Sequence, residues 1–167
     1  MKHLIISDQS GFTFLELVTI IVIVGILSYV AVANFTDSNI RLQYQTLAQK
    51  MATDVRYARE LAFSEGEGTR VYIDQANNRY YLKWSDGSYI QNPVGGENFI
   101  IQLGTGDFSG VQISGTSFSG GRLDFDTSGA PLNSGAAFSG EITLVELNNA
   151  KRIVVVANTG LLKIEDI

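Results

Sequence analysis

The stretch FTFLELVTIIVIVGILSYVAVA, residues 12–33, decides the fold of this chain. Its 22 residues contain one charged side chain, Glu16. A helix of that length is about 33 Å long, which is enough to cross a hydrocarbon core of about 30 Å. A carboxylate inside such a segment is costly and usually marks a function that needs a partner charge. The sequence therefore predicts one membrane-spanning helix near the N-terminus, with Glu16 as a functional residue.

The residues that follow keep a helical pattern without the uniform apolar character. Apolar side chains recur every three or four residues, at Ile40, Tyr44, Leu47, Met51, Val55, Ala58 and Ala62. This spacing places them along one side of a helix, whereas polar residues fall on the other sides. We expect a single helix from about Phe12 to Ser64, ended by Gly66 and Gly68. Its first half would lie in a membrane and its second half would pack against a domain.

From residue 67 onward the pattern is that of short β-strands separated by turns. The predicted strands are Thr69–Ile73, Arg79–Trp84, Phe99–Leu103, Arg122–Asp126, Glu141–Leu147, Lys151–Ala157 and Leu161–Ile164. Short, turn-rich links such as Asp74–Asn78, Asn148-Asn149 and Asn158–Gly160 favour antiparallel pairing. The glycine- and serine-rich residues 104–140 predict long loops. The fold class is therefore α+β: a long N-terminal helix, transmembrane in its first half and amphipathic in its second, packed on an antiparallel β-sheet domain.

The composition excludes several functional classes. The chain has no cysteine, which excludes disulfides, thiolate metal sites and cysteine nucleophiles. A catalytic triad or a histidine-ligated metal would depend on the single histidine, His3. The 17 acidic and 12 basic residues give a formal charge of −5, which argues against a broad nucleic-acid surface. We therefore expect no enzymatic activity and no cofactor.

The junction before the apolar stretch reads Ser10-Gly11-Phe12-Thr13-Phe14-Leu15-Glu16-Leu17. It resembles the processing motif of type IV pilins and pseudopilins, in which a short leader ends in glycine and phenylalanine becomes the new N-terminus. The resemblance implies cleavage between Gly11 and Phe12 by a prepilin peptidase, N-methylation of Phe12, and a role for Glu16 in fibre assembly. The Glu16 carboxylate of one subunit would neutralise the N-terminal amine of a neighbour. The alternative is that it neutralises the amine of its own chain.

Four later stretches resemble the H-type minor pseudopilins and related minor pilins, the GspH/FimT-like family: Val55–Ala62, Tyr80–Gly87, Leu123–Gly129 and Arg152–Gly160. This resemblance implies a minor subunit of a type II secretion pseudopilus or type IV pilus-like fibre, assembled through its N-terminal helix and supporting protein secretion. The implied partners are other pilin or pseudopilin subunits, the prepilin peptidase/methyltransferase, the inner-membrane assembly platform and membrane lipid.

The expected organisation has four segments: a prepilin leader at 1–11, a transmembrane helix at 12–36, its amphipathic continuation at 37–66, and a periplasmic β-rich domain at 67–167. The protein would be a single-pass inner-membrane protein that is incorporated into a fibre. One alternative is a minor type IV pilin for pilus biogenesis or DNA uptake. Another is a secreted periplasmic β-domain that binds a ligand and is cleaved after Ala33, because Ala31-Val32-Ala33 has the small residues of a secretory cleavage site.

Residues 124–129 have the pattern Asp-x-Asp-x-Ser-Gly, which resembles the start of a calcium loop. The twelfth position of such a loop would be Gly135, which supplies no carboxylate. Strand alternation places Leu123 and Phe125 inward and both Asp124 and Asp126 outward. We therefore predict a solvated strand end that leads into a glycine turn, and no metal.

Two further groups of side chains have a binding interpretation and a structural one. Arg56 and Arg59 would contact DNA in the first interpretation; in the second they face solvent or pair along the helix, as Arg56 would with Glu60. The aromatic residues of the domain are more typical of sheet packing than of a carbohydrate-binding platform. They are Tyr72, Tyr80, Tyr81, Trp84 and Tyr89.

Overall fold

The structure, a computed structural model, describes residues 12–148, 151–157 and 159–167, and for residues 31–39 it describes the backbone only. The predicted leader with Gly11, and the turn residues Asn149 and Asn158, lie outside the described residues. By its contacts the chain divides into two units, Met1–Asn39 and Ile40–Ile167.

One helix, α1 (Phe14–Glu65), contains 52 residues. At its start the Thr13 side-chain oxygen accepts a hydrogen bond from the backbone N–H of Glu16, over 3.2 Å. At its end Gly66 has a φ of +67°, a left-handed conformation that glycine adopts without the strain of a Cβ atom. The predicted single long helix is confirmed, with ends within two residues of the prediction.

Within the first unit, every described side chain from Phe12 to Val30 is exposed. Most of these side chains are large and apolar, for example Ile21 and Leu27. In the described residues no helix satisfies the combined length and hydropathy requirements of a membrane span.

In the described part of the chain, nine strands follow the helix: β1 (Thr69–Asp74), β2 (Arg79–Trp84), β3 (Ile100–Gln102), β4 (Ile113–Gly115), β5 (Arg122–Phe125), β6 (Pro131–Asn133), β7 (Glu141–Leu147), β8 (Lys151–Val156) and β9 (Leu162–Asp166). They form two antiparallel sheets. The first sheet has the order β3-β2-β1-β5-β6 and the second has the order β4-β7-β8-β9. All seven predicted strands are present, and the predicted antiparallel pairing is confirmed.

The region predicted as long loops, residues 104–140, also contains β4, β6 and two short 3-10 helices, Gly106–Phe108 and Ser119–Gly121. The sequence analysis missed both strands. Each is three residues long, too short to show a period-two pattern, and β6 begins with a proline at the edge of its sheet. Their pairing partners, β7 and β5, therefore define them more than their own sequence does.

The core of the second unit lies between the later part of α1 and the two sheets. From the helix, the predicted stripe is buried at Leu47, Met51, Val55, Ala58 and Ala62, and its first members, Ile40 and Tyr44, are partly buried. Ala48 and Ala52, which were not predicted, are buried beside it. From the sheets, the fully buried side chains include Val71, Tyr80, Leu82, Leu123, Leu144, Leu147, Ile153 and Val155. These side chains form one continuous cluster. The α+β fold of a helix packed on antiparallel sheets is thus confirmed.

Candidate functional site

The predicted assembly residues lie at the start of the apolar helix. Phe12 precedes α1 by two residues and its side chain is 77% exposed. Glu16 lies in the first turn, where a carboxylate stabilises the positive end of the helix dipole. The structure therefore describes Phe12 and Glu16 as accessible groups about one helical turn apart along the chain.

The sequence analysis missed Thr13, which caps this helix. Its hydroxyl oxygen accepts the Glu16 N–H, which would otherwise have no partner at the helix start. The signal was visible, because Thr13-Phe14-Leu15-Glu16 has the Thr-x-x-Glu spacing of a capping box. Glu16 is thus held at the start of a capped helix, with its side chain exposed.

A buried polar cluster ties the helix to the first sheet. The Tyr80 hydroxyl donates a hydrogen bond of 2.6 Å to Oδ2 of Asp54, and Lys50 Nζ donates to the same oxygen over 2.8 Å. Burial, with the Asp54 carboxylate nearby, raises the pKa of Tyr80, so its hydroxyl remains a donor. Sequence analysis missed Asp54, although an acidic residue between Met51 and Val55 on an apolar stripe signals a buried partner.

Two more contacts fix the end of the helix on the domain. The buried Thr69 hydroxyl donates to the Ala58 carbonyl over 2.9 Å. Arg59 Nε donates to the Gly129 carbonyl over 3.0 Å. A Cβ atom at Gly160 would lie 3.5 Å from Arg59 Cδ, so the arginine packs closely against the loop after β8. Arg59 therefore has a structural role in holding two loops against α1.

The neighbouring arginine, Arg56, is exposed on the helix. Among the described ion pairs, none joins Arg56 to Glu60, the pair that the sequence suggested.

The prediction that both aspartates of residues 124–129 face solvent is wrong for Asp124. This side chain is buried, and its Oδ1 lies 2.8 Å from Arg122 Nε, at an angle that makes an ion pair without a regular hydrogen bond. Alternation does place it on the outer face, but Arg122 and the loop at Gly135 cover it there. Burial raises the pKa of Asp124, while the arginine opposes that shift.

Asp126 organises the turn after β5. Its Oδ1 accepts hydrogen bonds from the Ser128 and Ala130 backbone N–H groups, at 2.8 and 2.9 Å, and from the Ser128 hydroxyl, at 2.6 Å. These bonds lower the pKa of Asp126, the Ser128 side chain most. The described residues contain no group of three or more His, Cys, Asp or Glu side chains that could hold a metal ion.

The predicted aromatic residues divide between the two faces of the first sheet. Tyr80 is fully buried against the helix, as predicted for sheet packing. Tyr72 and Tyr81 lie on the opposite face, stacked on each other with their ring centroids 5.0 Å apart. Tyr89 lies beside them, 5.8 Å from Tyr81 between centroids.

The family model described as type II transport protein GspH matches residues 47–160. Among solved structures, the chain is similar to the minor pseudopilin EpsH from the type 2 secretion system of Vibrio cholerae, with 16% identity and a TM-score of 0.48. That match covers 73% of this chain and 95% of the EpsH chain. No curated protein matches the chain significantly. The family match covers more than half of the chain and confirms the family that the sequence predicted. The chain therefore belongs to the GspH family of type II transport proteins.

Proposed function

We propose that this chain is a minor pseudopilin, a structural subunit of a type II secretion pseudopilus that supports protein secretion. One observation carries the proposal. The helix that contributes the buried stripe of a GspH-type domain begins within residues 12–30, whose described side chains are all exposed and mostly apolar. Within this chain nothing described covers them, so they need an apolar environment outside it, which lipid and then neighbouring fibre subunits would supply.

We propose residues 12–36 as a single inner-membrane anchor, with the β-rich domain in the periplasm. The proposal rests on composition, because residues 12–33 contain one charge and span about 33 Å as a helix. A lone carboxylate near the end of the segment costs less than one at the bilayer centre.

The leader would be removed between Gly11 and Phe12 by a prepilin peptidase, which would also methylate Phe12. Cleavage would leave a positively charged amine on Phe12, two residues before the start of α1 and therefore at the positive end of the helix dipole. Such an amine is hydrated at a membrane surface but desolvated inside a fibre. The Glu16 carboxylate of a neighbouring subunit would then be its partner, and removal of one member of a buried ion pair costs about 3–5 kcal/mol.

The test compares Glu16→Ala with Thr19→Ala in cells that secrete through this system. Thr19 is an exposed residue of the same helix whose hydroxyl donates only to the Leu15 carbonyl, so its loss removes a polar group and no charge. Glu16→Ala should be inserted and cleaved normally. Its co-purification with other pseudopilin subunits should fall roughly a hundredfold or more, as expected for the loss of about 3–5 kcal/mol.

Thr19→Ala should be inserted, cleaved and co-purified with other pseudopilin subunits like the unaltered protein. Normal co-purification and normal secretion by Glu16→Ala, at unchanged protein levels, would contradict the assembly role of Glu16.

A further inference from the structure

The outer face of the first sheet, opposite the helix, carries a contiguous set of aromatic and basic side chains. In β1 and β2, Val71 and Leu82 are buried toward the helix, and the intervening side chains project from the other side. We define the tyrosine–cation face as Arg70, Tyr72, Tyr81, Lys83 and Tyr89. All five are partly exposed.

The tyrosines of this face form one aromatic surface. Tyr72 and Tyr81 lie directly opposite each other on β1 and β2, and their rings stack with an interplanar angle of 13°. Tyr89 faces Lys83 through an isolated β-bridge, and its ring centroid lies 4.3 Å from Lys83 Nζ. The ammonium group of Lys83 is therefore fixed beside aromatic rings and does not extend freely into solvent.

The two cations of the face, Arg70 and Lys83, occupy opposite positions on neighbouring strands. Arg70 lies directly opposite Lys83 in the β1–β2 register. Like charges in that position destabilise a sheet. Neither side chain lies within ion-pair distance of a described carboxylate. On its other side Arg70 lies opposite Asp124 of β5, whose carboxylate is already held by Arg122. The other basic residues of the same sheet are engaged, Arg79 with Asp74 over 2.9 Å and Arg122 with Asp124 over 2.8 Å.

The second sheet shows the opposite arrangement. Every lysine and arginine of its described strands has an acidic partner: Arg152 pairs with Glu165 over 2.7 Å, Lys151 with Asp166, and Lys163 with Glu141. Among the basic residues of the described strands, Arg70 and Lys83 therefore differ from the others, which all lie within ion-pair distance of an acidic side chain.

We propose that the tyrosine–cation face binds a short acidic segment of another protein. A carboxylate placed between Arg70 and Lys83 would remove their repulsion, and apolar side chains of the same segment would lie on Tyr72, Tyr81 and Tyr89. The proposal goes beyond the fibre role of Glu16 and does not depend on it.

Charge complementarity favours a protein segment over nucleic acid. Of the described basic residues on this face, only Arg70 and Lys83 lack an acidic side chain at ion-pair distance, whereas binding along a phosphate backbone requires many cations. Asp124 lies opposite Arg70 on β5 and would disfavour a continuous row of phosphates along the face. A segment with few carboxylates and intervening apolar side chains satisfies both the charges and the rings.

The experiment uses the full chain in detergent micelles and a fluorescein-labelled peptide of four glutamates alternating with four leucines. The control peptide has glutamine at each glutamate position. We expect the acidic peptide to bind at least tenfold more tightly than the control, measured by fluorescence anisotropy, and salt to weaken this preference. A Kd above about 1 mM for the acidic peptide, or equal affinity for the two peptides, would overturn the proposal.

Two variants separate recognition from folding. Lys83→Glu should abolish the preference for the acidic peptide and leave the thermal midpoint unchanged or higher, because it creates an opposite-charge pair with Arg70. Lys163→Gln removes a cation from the second sheet and should leave binding unchanged. Unchanged binding by Lys83→Glu, or tighter binding of a single-stranded oligonucleotide of equal charge by the unaltered protein, would refute the assignment to an acidic protein segment.

Discussion

The two parts of helix α1 have opposite relations between composition and burial. Residues 12–30 are mostly apolar and all exposed, whereas residues 40–65 mix apolar with polar side chains and bury the apolar ones of one stripe, although Leu42 and Phe63 outside that stripe are exposed. Leu17 is 52% exposed and Leu47 is fully buried, although both are leucines in the same helix. The comparison shows that helical structure alone does not decide where a side chain lies. A one-sided stripe can be covered by one domain, whereas an all-round apolar surface cannot.

The energy involved is substantial. Covering a leucine, isoleucine or valine side chain contributes about 1.5–3 kcal/mol. The second part of the helix gains this within its own chain, through contacts such as Val55 against the sheets. The first part has more than ten large apolar side chains that remain 40% or more exposed and gain only part of this stabilisation from the described residues. We therefore expect the two parts to respond differently to truncation and substitution.

Removal of residues 1–38 should have the largest effect. A chain that begins at Asn39 should be soluble and folded without detergent, because it loses the exposed apolar segment and retains the buried stripe. The full chain should require membranes or detergent. Centrifugation and circular dichroism check both statements. An insoluble truncated chain, or one without a β-sheet signal, would show that the division between the two parts is placed wrongly.

Leu47→Ala should lower the free energy of unfolding by about 2–5 kcal/mol, because it leaves a cavity in the core. Leu17→Ala is the matched change in the exposed part and should leave that free energy unchanged. Urea denaturation of both full-length variants in micelles, followed by the β-sheet signal, measures the difference. Equal losses would remove the contrast between the two parts of α1.

Tyr80→Phe should cost about 1–3 kcal/mol, because Asp54 would lose a buried hydrogen-bond donor. Tyr57→Phe provides the control, since the Tyr57 ring packs on Phe99 with 6.1 Å between centroids and no described hydrogen bond involves its hydroxyl. The same denaturation assay applies. A loss no larger for Tyr80→Phe than for Tyr57→Phe would mean that the buried cluster does not help to hold the helix on the sheet.

Asp126→Ala should have the smallest effect, about 1 kcal/mol at neutral pH. Hydrogen bonds lower the pKa of Asp126 below its ordinary value of 3.8, so the carboxylate stabilises the fold above that pH. The contribution is lost as the pH falls through the lowered pKa. The stability difference between the unaltered chain and the variant should therefore shrink below about pH 4. A difference that stays constant down to pH 2 would exclude this role for the carboxylate.

The sequence predicted secondary structure and burial well where apolar residues repeat with a helical period over several turns or with a strand period over several residues. The stripe from Leu47 to Ala62 and the strands β2 and β7 were predicted closely, because packing follows the same period. Long-range partners were not predictable in this way. Asp54 is buried because Tyr80, 26 positions later, reaches it. Asp124 was predicted as exposed because alternation specifies a face but not what covers it.

The residues of the candidate site also differ in how far the sequence predicted them. The Thr-x-x-Glu pattern at Thr13 was available in the sequence and was overlooked, whereas the roles of Gly11, Phe12 and Glu16 derive from family resemblance and remain predictions. Twelve residues lie between Arg70 and Lys83 in the sequence. Only the register of β1 and β2 shows that these two residues lie directly opposite each other in the sheet.

The most direct test of the central claim, a membrane-anchored fibre subunit with a processed N-terminus, is intact-mass and N-terminal peptide analysis of the native protein purified from membranes. The account predicts a chain that begins at Phe12 and carries one added methyl group on its amine. A chain that begins at Asn34, recovered in the soluble fraction, would contradict it.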